Sequence, residues 1–162
     1  MRSLGVALIM LPALASANTD LDAAFERDVL IIEAGAFACH RFDIYIARND
    51  VQRARGLMHV RQMPATTGML FIYDGRNYAS MWMKNTYISL DIVFAGSDGR
   101  VSSVARNTEP LSLRSIRSIE PVAYVLELNA GVTEALFIDE NSRLLWGDTF
   151  AAGDQPAKPA TP

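Results

Sequence analysis

Cysteine is almost absent. Cys39 is the single one in 162 residues, so no intramolecular disulfide can form and the fold must be held by a packed core. Histidine is nearly as scarce, and His40 and His59 together cannot supply a three-histidine zinc site. The chain also lacks a glycine-rich phosphate loop, a Cys-x-x-Cys pair, a His-Glu-x-x-His helix and a Gly-x-Ser-x-Gly elbow, which removes the commonest signatures of nucleotide, redox, zinc-peptidase and serine-hydrolase chemistry. Positive charge is not in surplus: 15 Lys+Arg stand against 18 Asp+Glu, a net of −3. Nucleic acid is therefore not an expected partner, because non-specific binding to a polyphosphate backbone runs on basic excess. What is present, 50% apolar and 20% charged residues, is the composition of one globular domain.

The amino end has the three parts of a secretory signal. Arg2 supplies the positive region, residues 4–14 the apolar stretch, and Ala15-Ser16-Ala17 the small-residue cleavage site. The apolar stretch is too short to span a bilayer, which takes about 20 residues, and nothing downstream resembles a second span. The expectation is a periplasmic or secreted product beginning at Asn18, with no stable membrane span after cleavage. Cys39 lies too far beyond the apolar stretch for lipoprotein acylation, and its strand-like surroundings read as those of a small buried hydrophobe.

Residues 18–28 are polar and expected to be a flexible lead-in, while 151–162, rich in Ala and Pro, read as a disordered tail. The domain is then 29–150. Within it, alternating or fully apolar runs separated by Gly, Asp and Asn turns predict strands at 29–32, 42–47, 69–73, 79–83, 87–95, 100–105, 122–129 and 143–146. Asp98-Gly99 joins two β-branched runs closely enough for a hairpin. Asn49 or Asp50 caps a short helix carrying Val51, Ala54 and Met58, and another turn falls at 132–137. The fold class is mainly β: a single, mostly antiparallel sandwich or barrel-like domain with one or two short helices.

The most unusual local sequence is Trp82-Met83-Lys84-Asn85-Thr86, followed by the run from Tyr87 to Phe94. Strand alternation there puts Ile88, Leu90, Ile92 and Phe94 on one face and Asp91 on the other; in the run 122–129 it puts Glu127 with Ala123 and Val125. A carboxylate among apolar neighbours is expensive to bury without a partner. Lys84, Asp91 and Glu127 are therefore expected to meet in one cleft, with Asn85 and Thr86 adding hydrogen bonds and Trp82 forming a wall. Such a cleft suits a small polar or saccharide-like ligand. The same residues also fit a purely structural ion-pair network. Met58, Met63, Met69, Met81 and Met83 form a second cluster, with His59 among them; thioether and imidazole together are a Cu(I) ligand set, but Met is a ready filler of irregular cores, and packing is the expected role. No metal and no cofactor is expected.

Gly56-Leu57-Met58, Gly68-Met69-Leu70-Phe71, Trp82-Met83-Lys84-Asn85-Thr86, Leu90-Asp91 and Tyr124-Val125-Leu126-Glu127-Leu128-Asn129-Ala130-Gly131 occur in the order and spacing of a bacterial and archaeal family, domain of unknown function 192, which the chain resembles over about residues 37–147. The resemblance implies a single mainly β, often exported domain without an established activity. Carried over by motif, its site residues fall on Trp82, Lys84, Asn85, Thr86, Asp91 and Glu127. His59 departs from the pattern, since a basic or other polar residue is more usual there. The catalytic residues are unknown. Two further classes remain open: an enzyme acting on envelope glycans through paired carboxylates, and an assembly module using an apolar patch or strand edge. Cleavage of the exported protein between Ala17 and Asn18 is checked by intact-mass analysis; a mature product that retains residues 1–17 contradicts the targeting assignment.

Overall fold

The computed structural model describes residues 19–35, 38–75 and 77–147. The expected signal at 1–17 and the tail at 151–162 lie outside the described residues. Two long strands, β1 (Glu26–Ala34) and β2 (Ala38–Ala47), pair antiparallel with Leu30 opposite Phe42. Their alternate apolar residues, Leu30, Ile32, Phe42, Ile44 and Ile46, are buried together. Asn49 then caps α2 (Asp50–Arg55), its side chain accepting a hydrogen bond from the Gln52 backbone N–H at 2.9 Å. This helix begins the crossover to β3 (Thr67–Ile72), which lies parallel to β2. That pair is the exception to the antiparallel pattern, and it takes a crossover rather than a tight turn because both strands run the same way.

The remaining strands are β4 (Ser80–Met81), β5 (Leu90–Ala95), β6 (Val101–Ala105), β7 (Ile116–Arg117), β8 (Tyr124–Asn129) and β9 (Arg143–Leu145). Asp98-Gly99 does connect the antiparallel pair β5 and β6, with Gly99 at φ 80°. The main sheet runs β6-β5-β8-β3-β2-β1-β9, while β4 and β7 form a separate ribbon. A bridge between Arg100 and Arg143, with the Val101 N–H donating to Ser142 O at 3.0 Å and the Leu144 N–H to Gly99 O at 2.8 Å, draws the two ends of the sheet together into a nearly closed barrel.

This closure produces two apolar clusters. The first takes Leu30, Ile44, Leu70, Val93, Val101, Leu126 and Leu144, a contribution from every strand of the main sheet, and fills the barrel. The second lies on the outer face of β2, β3, β5 and β8, where Tyr45, Met69, Phe71, Ile92, Phe94 and Val125 are covered by Leu57, Val60, Met63, Met81 and Met83 from the connecting segments. Four of the clustered methionines, Met63, Met69, Met81 and Met83, are thus core residues.

Three local expectations are corrected. Residues 19–28 are not a loose lead-in: α1 (Thr19–Ala24) and the start of β1 occupy them, because Leu21 and Phe25, four apart on one helical face, bury themselves in the outer cluster. Cys39 is exposed rather than buried, since it sits opposite Glu33 on the uncovered face of the β1–β2 hairpin. The strand expected from Tyr87 begins at Leu90, because a turn at 83–86, described below, and the irregular residues after it precede the sheet pairing.

Gly68 is where β3 and β8 come closest. A Cβ there would stand 2.8 Å from both Glu127 O and Leu128 Cδ2. Gly68→Ala is expected to lower stability by about 2–3 kcal/mol, measured by chemical denaturation, whereas alanine at Gly35, where an added Cβ meets only open space, suffers no more than the strain of its positive φ of 61°.

Candidate functional site

Between the outer face of the barrel and its covering segments lies a cavity of about 270 Å³. Its floor is Glu127 on β8, with Phe71 and Tyr73 at the end of β3; its walls are Arg53, Arg55 and Met58 from α2 and beyond, and Ser80, Met81, Trp82, Lys84 and Thr86 from β4 and the following loop. Gly56 lets α2 end tightly against the floor, since a Cβ there would lie 3.2 Å from the Phe71 ring.

The loop segment is shaped by its own hydrogen bonds. Met81 and Met83 point into the core, so strand-like alternation turns Trp82 and Lys84 outward. The Thr86 N–H donates to Met83 O at 3.0 Å and closes the turn, with Asn85 at φ 56°, a left-handed conformation that Asn tolerates better than other non-glycine residues. Asn85 O accepts from the His59 N–H at 2.8 Å, which ties the loop to the segment after α2. Asn85 is therefore a turn residue beside the cavity and does not line it. Lys84 projects with its ammonium 5.1 Å from the centroid of the Trp82 ring. That indole is 47% exposed at the cavity rim.

Glu127 is only 4% exposed, and its Oε2 has no hydrogen-bond partner. Burial pushes its carboxyl from 4.5 up to about 8, so the group is chiefly a neutral acid at pH 7. Tyr73 beside it is also raised, first by burial, against the pull of the nearby Arg53 and with a smaller push from Glu127. Its hydroxyl donates to Met81 Sδ at 3.6 Å, and Arg53 lies over its ring at 5.2 Å.

Asp91 does not join them. The β5–β8 register sets Asp91 opposite Leu128 and Ile92 opposite Glu127, so the two carboxyl groups emerge on opposite faces of the sheet. Asp91 is fully buried and satisfied: Oδ1 accepts from the Asn107 N–H at 2.9 Å, and Oδ2 accepts from the Thr133 N–H at 3.0 Å and hydroxyl at 2.8 Å. Through Thr133, Asp91 anchors the start of α3 (Val132–Ala135), while Arg106 donates to the same Thr133 Oγ1 at 3.1 Å. The expected Lys84–Asp91–Glu127 cleft is thus corrected to a cavity that holds Trp82, Lys84, Thr86 and Glu127, with Asp91 as a structural anchor elsewhere. Nor is there an ion-pair network among the three, since none appears in the salt bridges of the described residues. Arg53, Arg55 and Tyr73 went unread as site residues; the Gly56-Leu57-Met58 and Gly68-Met69-Leu70-Phe71 blocks flanking them were the available signal.

The fold and site define a small β-barrel protein with a covered lateral cavity floored by an acid. The profile of domain of unknown function 192, described as uncharacterized ACR, matches residues 30–146, and the chain belongs to that family. Among solved structures it is similar to a protein of Sinorhizobium meliloti 1021 for which a role as a transcription regulator has been suggested, with 39% identity and a TM-score of 0.73 over 75% of this chain and 94% of that one. It is also similar to a protein of unknown function from Novosphingobium aromaticivorans DSM 12444, with 31% identity and a TM-score of 0.72 over 75% and 86% of the two chains. No curated protein matches.

The three residues expected to act together respond differently to substitution. Lys84→Ala, at an exposed position, changes stability by less than about 1 kcal/mol. Asp91→Ala strands two backbone donors and loses about 2–4 kcal/mol. Glu127→Gln gains stability with a definite pH dependence. Below pH 4.5 Glu127 is protonated in both folded and unfolded chains, so the gain is near zero; from there to about 8 only the unfolded chain ionises, the parent loses stability, and the gain grows toward roughly 5 kcal/mol before levelling off. Denaturation of the three variants at several pH values checks all three outcomes; a parent stability flat across that window refutes a neutral Glu127.

Proposed function

We propose that the protein is an exported binding protein whose cavity takes a small polar, saccharide-like ligand. The observation that carries this reading is the buried, unpartnered Oε2 of Glu127, a residue that lines the cavity. Buried polar atoms almost always have a partner, and leaving one unsatisfied costs about 1–3 kcal/mol. A ligand hydroxyl supplies that partner, accepting from the neutral carboxyl or donating to its free oxygen. The half-exposed face of Trp82 at the rim offers the flat apolar surface that the C–H face of a sugar ring covers well. Thr86 and Ser80 add further hydroxyls to the lining.

The glycan-cleaving alternative loses its chemical basis. Such enzymes place two carboxyl groups across the scissile bond, about 5–9.5 Å apart, whereas Glu127 is the sole Asp or Glu among the residues lining this cavity. The regulator role suggested for the Sinorhizobium protein gains no support from this chain, whose net charge is −3 and whose described helices have four to six residues.

Binding is tested by titrating the mature protein with monosaccharides while following tryptophan fluorescence in a Trp146→Phe background. Saturable quenching of Trp82 that Glu127→Leu abolishes supports the reading. Failure of both neutral and acidic sugars to bind at about 10 mM, an affinity too weak to be useful, removes it.

A further inference from the structure

The cavity's charges narrow the ligand further than its hydroxyls do. Within a protein of net charge −3, three cations, Arg53, Arg55 and Lys84, line this one site against a single acidic residue. They are not equally available. Arg53 is paired with Asp50 and donates to Arg48 O and Ile72 O. Arg55 donates to a neutral acceptor, Asp20 O, at 3.0 Å and stacks 5.4 Å from the centroid of the Phe25 ring; among the described residues neither it nor Lys84 takes part in a salt bridge. Two cationic residues of the lining are therefore without a salt-bridge partner among the described residues, in a cavity whose floor residue, Glu127, has an unpartnered oxygen.

We propose that the ligand is an anionic sugar, a single ring bearing a carboxylate or phosphate, whose charged group lies between Lys84 and Arg55 and whose hydroxyls reach Glu127. The inference rests on the binding reading above and adds the charge and the size. A cavity of about 270 Å³ lies just below the usual range of ligand sites, which starts at ~300 Å³, and so suits one ring and not an enclosed oligosaccharide. An anion is compatible with the floor because burial keeps the Glu127 carboxyl neutral up to about pH 8. Tyr73 after β3 is the titratable neighbour that interacts with that carboxyl; Arg53, Arg55 and Lys84 share the cavity lining with it, and the neighbouring β3 and β5 side chains, Met69 and Ile92, are apolar. Above about pH 8 Glu127 ionises and repels the ligand. Anion affinity then falls, by up to about tenfold per pH unit if binding requires the protonated acid.

The test uses the mature full chain and three probes, D-glucuronate, D-glucose 6-phosphate and D-glucose, with acetate and inorganic phosphate as simple anions, all by calorimetric titration at low ionic strength. One charged sugar is expected to bind at least about tenfold more tightly than glucose, and which one identifies the charged group. Lys84→Met should shrink that preference severalfold with stability unchanged, and Glu127→Gln should flatten the loss of affinity above pH 8. Equal or tighter binding of glucose overturns the charge assignment and leaves the saccharide reading intact. Acetate or phosphate binding as well as the sugars overturns the ring component. If no sugar binds, both readings fall together.

Discussion

The antiparallel register between β5 and β8 sets Ile92 opposite Glu127 and Asp91 opposite Leu128. Residues directly opposite in such a pair emerge on the same side, so this one alignment sends Asp91 toward the barrel side of the sheet and Glu127 to the outer face. A slip of one residue would exchange every side chain between the two faces. Glu127 would then enter a core filled by Leu70, Val93 and Leu126, and Asp91 would leave the donors of Thr133 and Asn107. Gly68 on β3 reinforces the alignment from the other side of β8, because the Glu127 carbonyl and the Leu128 side chain occupy the space that a Cβ would need.

The two buried carboxyl groups meet the same desolvation penalty in different ways. Asp91 is given three donors within 3.0 Å and in return organises α3 and the Asn107 turn. Glu127 is given no partner at Oε2, and its solution is to stay protonated. A satisfied group is what a structural role requires, and removing it would damage the fold. An unsatisfied one lowers stability and contributes nothing to packing that Gln or Leu could not provide, so its presence at the floor of a cavity is better explained by what the cavity receives than by what holds the barrel together.

The strands were legible in the sequence where they are long. Alternation marked β1, β2, β3, β5, β6 and β8, and Asn49 and Gly99 marked a helix start and a hairpin, because each has a local cause. β7, two residues long, has no period to detect, and α1 was hidden by the acidic residues Asp20 and Asp22 around its two buried anchors, Leu21 and Phe25. The candidate site was half legible. Outward Trp82 and Lys84 followed from the same alternation that buried Met81 and Met83. Whether Asp91 and Glu127 shared a face depended on a non-local register, and with both faces of this sheet covered, polarity could not reveal it.

α1 gives the covering layer a purpose beyond concealment of apolar surface. Arg55 holds it through Asp20 O while the same side chain lines the cavity, and Phe25 packs beneath that guanidinium. With cleavage after Ala17, as proposed, the mature chain would enter this helix at its second residue, Thr19. α1 would therefore follow the new amino terminus directly in sequence, and it holds one of the two lining cations that have no salt bridge. A ligand that engages Arg55 then also favours the docked state of α1, since any species that binds only the ordered arrangement stabilises it by mass action. α1 and the cavity lining thus share one arginine, although Asp20 and Arg55 are 35 residues apart in sequence.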